Sequence, residues 1–185
     1  METRPKTDVI EIEDYDERWP EIFELEKRKI LQVLGNLILD IQHIGSTAVP
    51  GMAAKPIIDI LVAVEDMSSG IECDRKLIGM GYRYVPYDED SERLFFQKGM
   101  PRTHHVHIVR YGSPTYFKHI AFRDYIKQHK EVREEYDQLK KDLASNFRND
   151  RRAYVEGKTS LSRGSQRKRR EPANPRSREH AQIAH

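Results

Sequence analysis

The chain has 185 residues, enough for one domain with a full core, and a net charge of +2 from 32 Lys and Arg against 30 Asp and Glu. It has no apolar run of the ~18 residues that a membrane-spanning helix needs, and its one cysteine, Cys73, excludes an intramolecular disulfide and a cysteine metal cluster. The N-terminus shows no apolar stretch of signal-peptide length, so a cytoplasmic protein without a membrane partner is expected.

Val9-Ile10-Glu11-Ile12 predicts a short opening strand. Pro20 suits the first turn of a helix running to about Leu34, with Phe23, Ile30 and Leu34 on its buried face. Leu39 to Ile44 alternates as a strand and runs into Gly45-Ser46, and Pro56 to Val64 is nearly all apolar, as a central strand covered on both faces should be. Ser68 or Ser69 caps a helix that ends near Gly79 to Gly81. Tyr82 to Val85, Arg93 to Lys98 and Thr103 to Arg110 read as strands joined by turn-rich segments. Ser113 is the N-cap and Pro114 the first residue of a helix that includes Phe117, Ile120 and Ala121. A second long helix, about Glu131 to Phe147, carries Val132, Tyr136, Leu139 and Leu143 at spacings of three and four. This order predicts an α/β domain of the α+β type over residues 1–161. It has a mixed sheet with antiparallel pairs, flanking helices and a helical C-terminal section.

The charge is unevenly spread. Residues 162–185 carry seven Lys and Arg against Glu171 and Glu179, a balance of +5, which leaves −3 for the first 161 residues. With Pro172, Pro175 and almost no aliphatic side chains, this tail is expected to be disordered. Its run Arg167-Lys168-Arg169-Arg170 is the one stretch through which the chain is expected to touch nucleic acid, if at all.

Three features carry chemistry. Gly45-Ser46 forms a turn whose backbone N–H groups can approach a phosphate closely, since Gly has no Cβ. Ser46 and Thr47 add hydroxyls there, although both residue types are also common in plain turns. Asp59 sits inside an apolar strand, where a carboxylate is costly unless paired, hydrogen-bonded or bound to a cation. In His104-His105-Val106-His107, His105 and His107 share one strand face. Two imidazoles so placed can hold a divalent metal, or one can serve as general base. Tyr82, Tyr84, Tyr87 and Phe95-Phe96 could stack on a base, and equally suit the core and edge of a sheet.

The string from His43 to Val62, with Arg102-Thr103-His104-His105-Val106-His107 and Ala121-Phe122-Arg123-Asp124-Tyr125 downstream, resembles the GrpB-like family of the nucleotidyltransferase superfamily. The resemblance covers roughly residues 8 to 158. It implies metal-dependent transfer of a nucleotidyl group from a nucleoside triphosphate to a small acceptor. Asp59, His105 and His107 would be the catalytic and metal-holding residues, with Mg or Mn as the ion and Zn as the alternative. Gly45, Ser46, Thr47, Lys55, Arg123 and Lys158 would bind the substrate. Lys55 and Arg123 lie within the resembling strings, and each could clamp a phosphate or neutralise Asp59. Lys158 stands in Tyr154-Val155-Glu156-Gly157-Lys158, which resembles a motif near the family's C-terminus. Thr159-Ser160-Leu161-Ser162 replaces the apolar residues usual after it. The superfamily places a second carboxylate two residues after the first, and here that residue is Leu61, which removes a ligand from a two-metal mechanism. The alternatives are an inactive module that binds a nucleotide or phosphorylated metabolite, and a metal-dependent phosphoester hydrolase built on the histidine pair.

Overall fold

The computed structural model describes residues 9–86, 92–150 and 152–157. Helix α1 (Trp19–Leu34) starts with Pro20 in its first turn, where a missing N–H goes unnoticed, and buries Trp19, Phe23, Ile30 and Leu34. A 3-10 turn (Gly35–Leu37) leads to β1 (Asp40–Ile44), and a second (Ser46–Ala48) follows that strand. Next come β2 (Ile58–Val64), α2 (Met67–Gly79), β3 (Tyr82–Tyr84), β4 (Arg93–Lys98) and β5 (His104–Arg110). Two helices, α3 (Pro114–Gln128) and α4 (Lys130–Asn146), and a short helical segment at 152–157 complete the described chain.

One sheet takes the order β1-β2-β5-β4-β3. Only β2 and β5 pair in parallel, setting Asp59 beside His105 and Leu61 beside His107. Side chains alternate across the sheet. Ile58, Ile60, Val62 and Val64 join Val106, Ile108 and Phe96 on the face covered by α1 and α2. Leu61, Ala63 and Val109 lie on the other face, against Tyr116 of α3. The segment after β1 is held by α3 and α4, through Val49 and Met52 packing on Ile126 and Tyr136. No helix among the described residues is long and apolar enough to cross a membrane.

Two local expectations are corrected. Residues Val9 to Ile12 form no strand. Ile10 packs with Leu143 and Tyr154 and gives its N–H to the Arg148 carbonyl, so the segment docks on the C-terminal helices, and one bridge joins Glu13 to Ala54. The cap of α2 is Asp66, whose carboxylate accepts from Ser69 N at 2.9 Å and from the hydroxyls of Ser68 and Ser69. An ionised acceptor at a helix N-terminus gains from the helix dipole as well as from the hydrogen bonds, and the serines fall in the first turn. Ser113 caps α3 as expected, accepting from Tyr116 N at 3.2 Å. Tyr87, Lys158 and residues 162–185 lie outside the described residues.

Ile60 is fully buried in β2 and Leu39 is 55% exposed at the sheet edge. Ile60→Ala should lower stability by about 2–5 kcal/mol, the usual cost of a core truncation, in urea melts. Leu39→Ala should stay within about 0.5 kcal/mol of the parent.

Candidate functional site

β1 ends at Ile44, whose partner across the ladder is Asp59. Gly45 then turns the chain at φ 73° and ψ −172°, a conformation that residues with a Cβ adopt only under strain. Space excludes a side chain independently, since a Cβ on Gly45 would stand 3.0 Å from the Asp59 Cβ and press on its carboxylate. The turn and the acid are thus built against each other.

The Asp59 side chain remains 28% exposed and opens into a cleft of about 180 Å³ shared with Ser46, Thr47, Lys55, His105 and Lys140. His105 Nδ1 lies 2.9 Å from Asp59 Oδ1, and His107 Nε2 lies 3.8 Å from the same oxygen, beyond hydrogen-bond reach. Burial alone would raise the Asp59 pKa, but the two imidazoles outweigh it and hold the carboxyl well below its ordinary range. An ionised carboxylate only accepts, so His105 carries its proton on Nδ1, and a neutral ring then has its lone pair on Nε2. His105 Nε2 and His107 Nδ1 are both buried without a hydrogen-bond partner among the described residues. Burial lowers the pKa of His107 against the pull of Asp59. The His119 ring, from α3, sits 5.4 Å from that of His107, and burial beside His107 and Arg93 brings its pKa down to about 3.

One residue of the cleft escaped the sequence reading. Lys140, on α4, is 1% exposed. Its ammonium group pairs with Asp137 at 2.8 Å, donates to the Ala53 carbonyl and lies 3.4 Å from Ser46 Oγ. The signal was present, because Lys140 falls four residues after Tyr136 and three before Leu143, on the inward stripe of its helix.

The other predicted positions separate. Lys55 lines the cleft with its ammonium 4.5 Å over the Tyr154 ring. Arg123 lies elsewhere, where it donates to Asp124 Oδ1 at 2.7 Å, to Gln42 Oε1 at 2.9 Å and to the His43 carbonyl at 3.0 Å, bracing β1. Asp59 is hydrogen-bonded to His105, and Arg123 is committed to β1. Of the aromatic residues, Phe96 and Tyr82 are core, whereas Phe95 stacks on His107 at 4.8 Å.

The donor set does not fit a resident two-metal centre. Leu61 is packed with Ile44, Val109 and Tyr116 and offers nothing at the second-carboxylate position. Among the described residues no group of three or more His, Cys, Asp or Glu is arranged to hold an ion.

The sheet, its flanking helices and the acid facing a Gly-Ser turn define a nucleotidyltransferase-like fold. The Cid1 poly(U) polymerase, in its structure with Mg and 3′-dATP, superposes at a TM-score of 0.51 with 13% identity, over 72% of this chain and 43% of that one. Residues 9–168 match the model of the GrpB protein family, and the chain belongs to that family. It is similar to the conserved protein GrpB from Enterococcus faecalis, with a TM-score of 0.78 and 33% identity over 87% of this chain and all of that crystal structure. It is 41% identical over 150 residues to UPF0157 protein YqkA of Bacillus subtilis (strain 168), covering 80% of this chain. The match spans 44% of YqkA, so the chain corresponds to less than half of that relative.

Gly45→Ala should cost about 1–3 kcal/mol from backbone conformation alone, and more through the collision with Asp59. Thermal melts compared with Gly51→Ala, at a positive φ with open space around it, isolate the collision. A pH effect follows from the half-buried imidazoles. His43 is pushed down to about 4 by burial, and His119 to about 3. Unfolded histidine titrates near ~6.5, so between that value and about pH 4 the unfolded chain binds protons that the folded one refuses. Stability should therefore be complete above ~6.5 and decline as the pH falls below it. Equal urea midpoints at pH 7.5 and pH 5 would contradict this.

Proposed function

We propose that the cleft binds a nucleoside triphosphate together with the divalent cation it carries, and that the nucleotidyl group is transferred to a small acceptor. The observation that carries this reading is the Asp59 carboxylate facing the Gly45-Ser46 turn, in the same cleft as the ammonium of Lys140. A carboxylate repels phosphate unless a cation lies between them. Mg²⁺ commonly takes one or two protein carboxylates plus phosphate oxygens, so Asp59 suffices for an ion that arrives as part of the substrate. Ser46 Oγ accepts from Lys140, which leaves its own proton for a phosphate oxygen in the cleft. Lys55 adds positive charge at the same wall.

With Leu61 in place of a second carboxylate, the acceptor is activated by positioning and by the cation on the phosphates. His105 orients Asp59 by donating from Nδ1, and its own Nε2 is buried and takes no proton from a ligand. The acceptor hydroxyl attacks the α-phosphorus, its proton passes to water, and the bond to the bridging oxygen breaks to release pyrophosphate. A second reading, binding without transfer, is favoured by that same Leu61.

Titration calorimetry with ATP, GTP, CTP and UTP, each with Mg, Mn or EDTA, tests the proposal. At least one triphosphate should bind only when the cation is present. Asp59→Asn keeps an acceptor oxygen for His105 and should weaken that binding by about tenfold or more, ~1.4 kcal/mol, with little change in melting temperature. Failure of every nucleotide with every cation overturns the proposal. Binding without pyrophosphate release, across a panel of small alcohols and amines, would leave the second reading.

A further inference from the structure

His43 is the next-to-last residue of β1, on the sheet face opposite Asp59, and does not itself line the cleft. Its ring lies flat on Phe23 of α1, with centroids 4.6 Å apart and planes 9° apart. Its carbonyl is held by Arg123 at 3.0 Å. His43 Nε2 lies 3.0 Å from Thr47 Oγ1, and that hydroxyl lies 3.3 Å from the Ile57 carbonyl. Thr47 is 1% exposed.

We infer that His43 is a positioning residue of the cleft, a neutral hydrogen-bond donor that pins Thr47 and leaves Ser46 as the turn hydroxyl offered to a ligand. The proton count fixes the roles. A threonine hydroxyl has one proton, and the Ile57 carbonyl can only accept, so Thr47 donates there. Thr47 Oγ1 must then accept from His43, which places the imidazole proton on Nε2. Thr47 becomes a strut ten residues long in sequence, tying the end of β1 to the residue before β2. The loop it spans contains Ala53, whose carbonyl receives Lys140, so the strut also steadies the cation beside Ser46. Burial keeps the ring neutral, with Lys127 and Arg123 acting in the same sense and Asp59 against it. The Thr47 hydroxyl, expected from its position to reach phosphate, is instead spent on the protein. The functional consequence rests on the phosphate-cleft reading, whereas the geometry of the turn does not.

Two variants and one direct observation test this. His43→Phe keeps the stack on Phe23 and removes the donor, while His43→Gln returns an N–H at similar reach. Amide hydrogen exchange across residues 46–49 should rise about tenfold or more in His43→Phe and return towards the parent rate in His43→Gln. Affinity for Mg–ATP, used as the probe, should follow the same order. Nitrogen-15 NMR of the parent should show the His43 proton on Nε2 at pH 7. Exchange that is equal in parent and His43→Phe, or a proton found on Nδ1, overturns the inference, and the second result holds even if His43→Phe does not fold. If exchange behaves as expected but the parent binds no Mg-nucleotide, the nucleotide proposal fails and the positioning of the turn stands.

Discussion

The approach of the β1 turn to the carboxylate of Asp59 sets the rest of the site. Asp59 occupies the second position of a seven-residue strand that is otherwise apolar, so its charge has one direction in which to find water or partners. That direction is the face shared with His105, and the parallel pairing of β2 with β5 puts the two residues side by side. An antiparallel β5 would change the register and the side-chain neighbours together. The parallel crossover therefore serves the site as much as the core, and Gly45 is the residue that lets the chain pass so close above the acid.

Lys140 shows how α4 is joined to the sheet. Burying an ammonium is costly unless its protons are used, and here the Asp137 carboxylate, the Ala53 carbonyl and the Ser46 hydroxyl surround it. Those three groups belong to α4, to the loop before β2 and to the turn after β1. Helix α4 is thus fixed to the cleft by a polar contact as well as by the packing of Tyr136 on Val49 and Met52. The cleft is a joint between layers, and its shape depends on α4 staying docked.

Much of this architecture was legible in the chain. Among the described residues, alternation, one continuous apolar run, cap and proline signals and three-to-four spacing together placed the five strands and four long helices, because burial and chain termination each leave a local record. The pairing of His105 with His107 on one face, and of Gly45 with Asp59 in one site, followed from short-range order and from family resemblance. What failed was of another kind. The segment from Val9 to Ile12 has the composition of a strand, yet its partner is a helical C-terminal section that no local pattern announces. Asp66 outcompeted two serines as a cap because a carboxylate accepts several hydrogen bonds at once. Arg123 lies within a motif-like string and braces β1, showing that a string can mark the support of a site as well as the site. Lys140 was hidden by type, since a lysine on an amphipathic helix is ordinarily solvated.

Leu61 draws these threads together. It follows Asp59 by two residues and so shares its face, but it packs with Ile44, Ala63, Val109 and Tyr116, and its ladder partner on β1, Gln42, is already engaged by Arg123. A carboxylate there would have to be desolvated without the imidazole that Asp59 enjoys, because the ladder neighbour of Leu61, His107, already leans towards Asp59 and stacks on Phe95. The position is committed to packing. Negative charge in the site is concentrated in one residue, and the two adjacent histidines hold its carboxyl well below the ordinary range against its burial. The strand sets its one acid between imidazoles on one side and a glycine turn on the other.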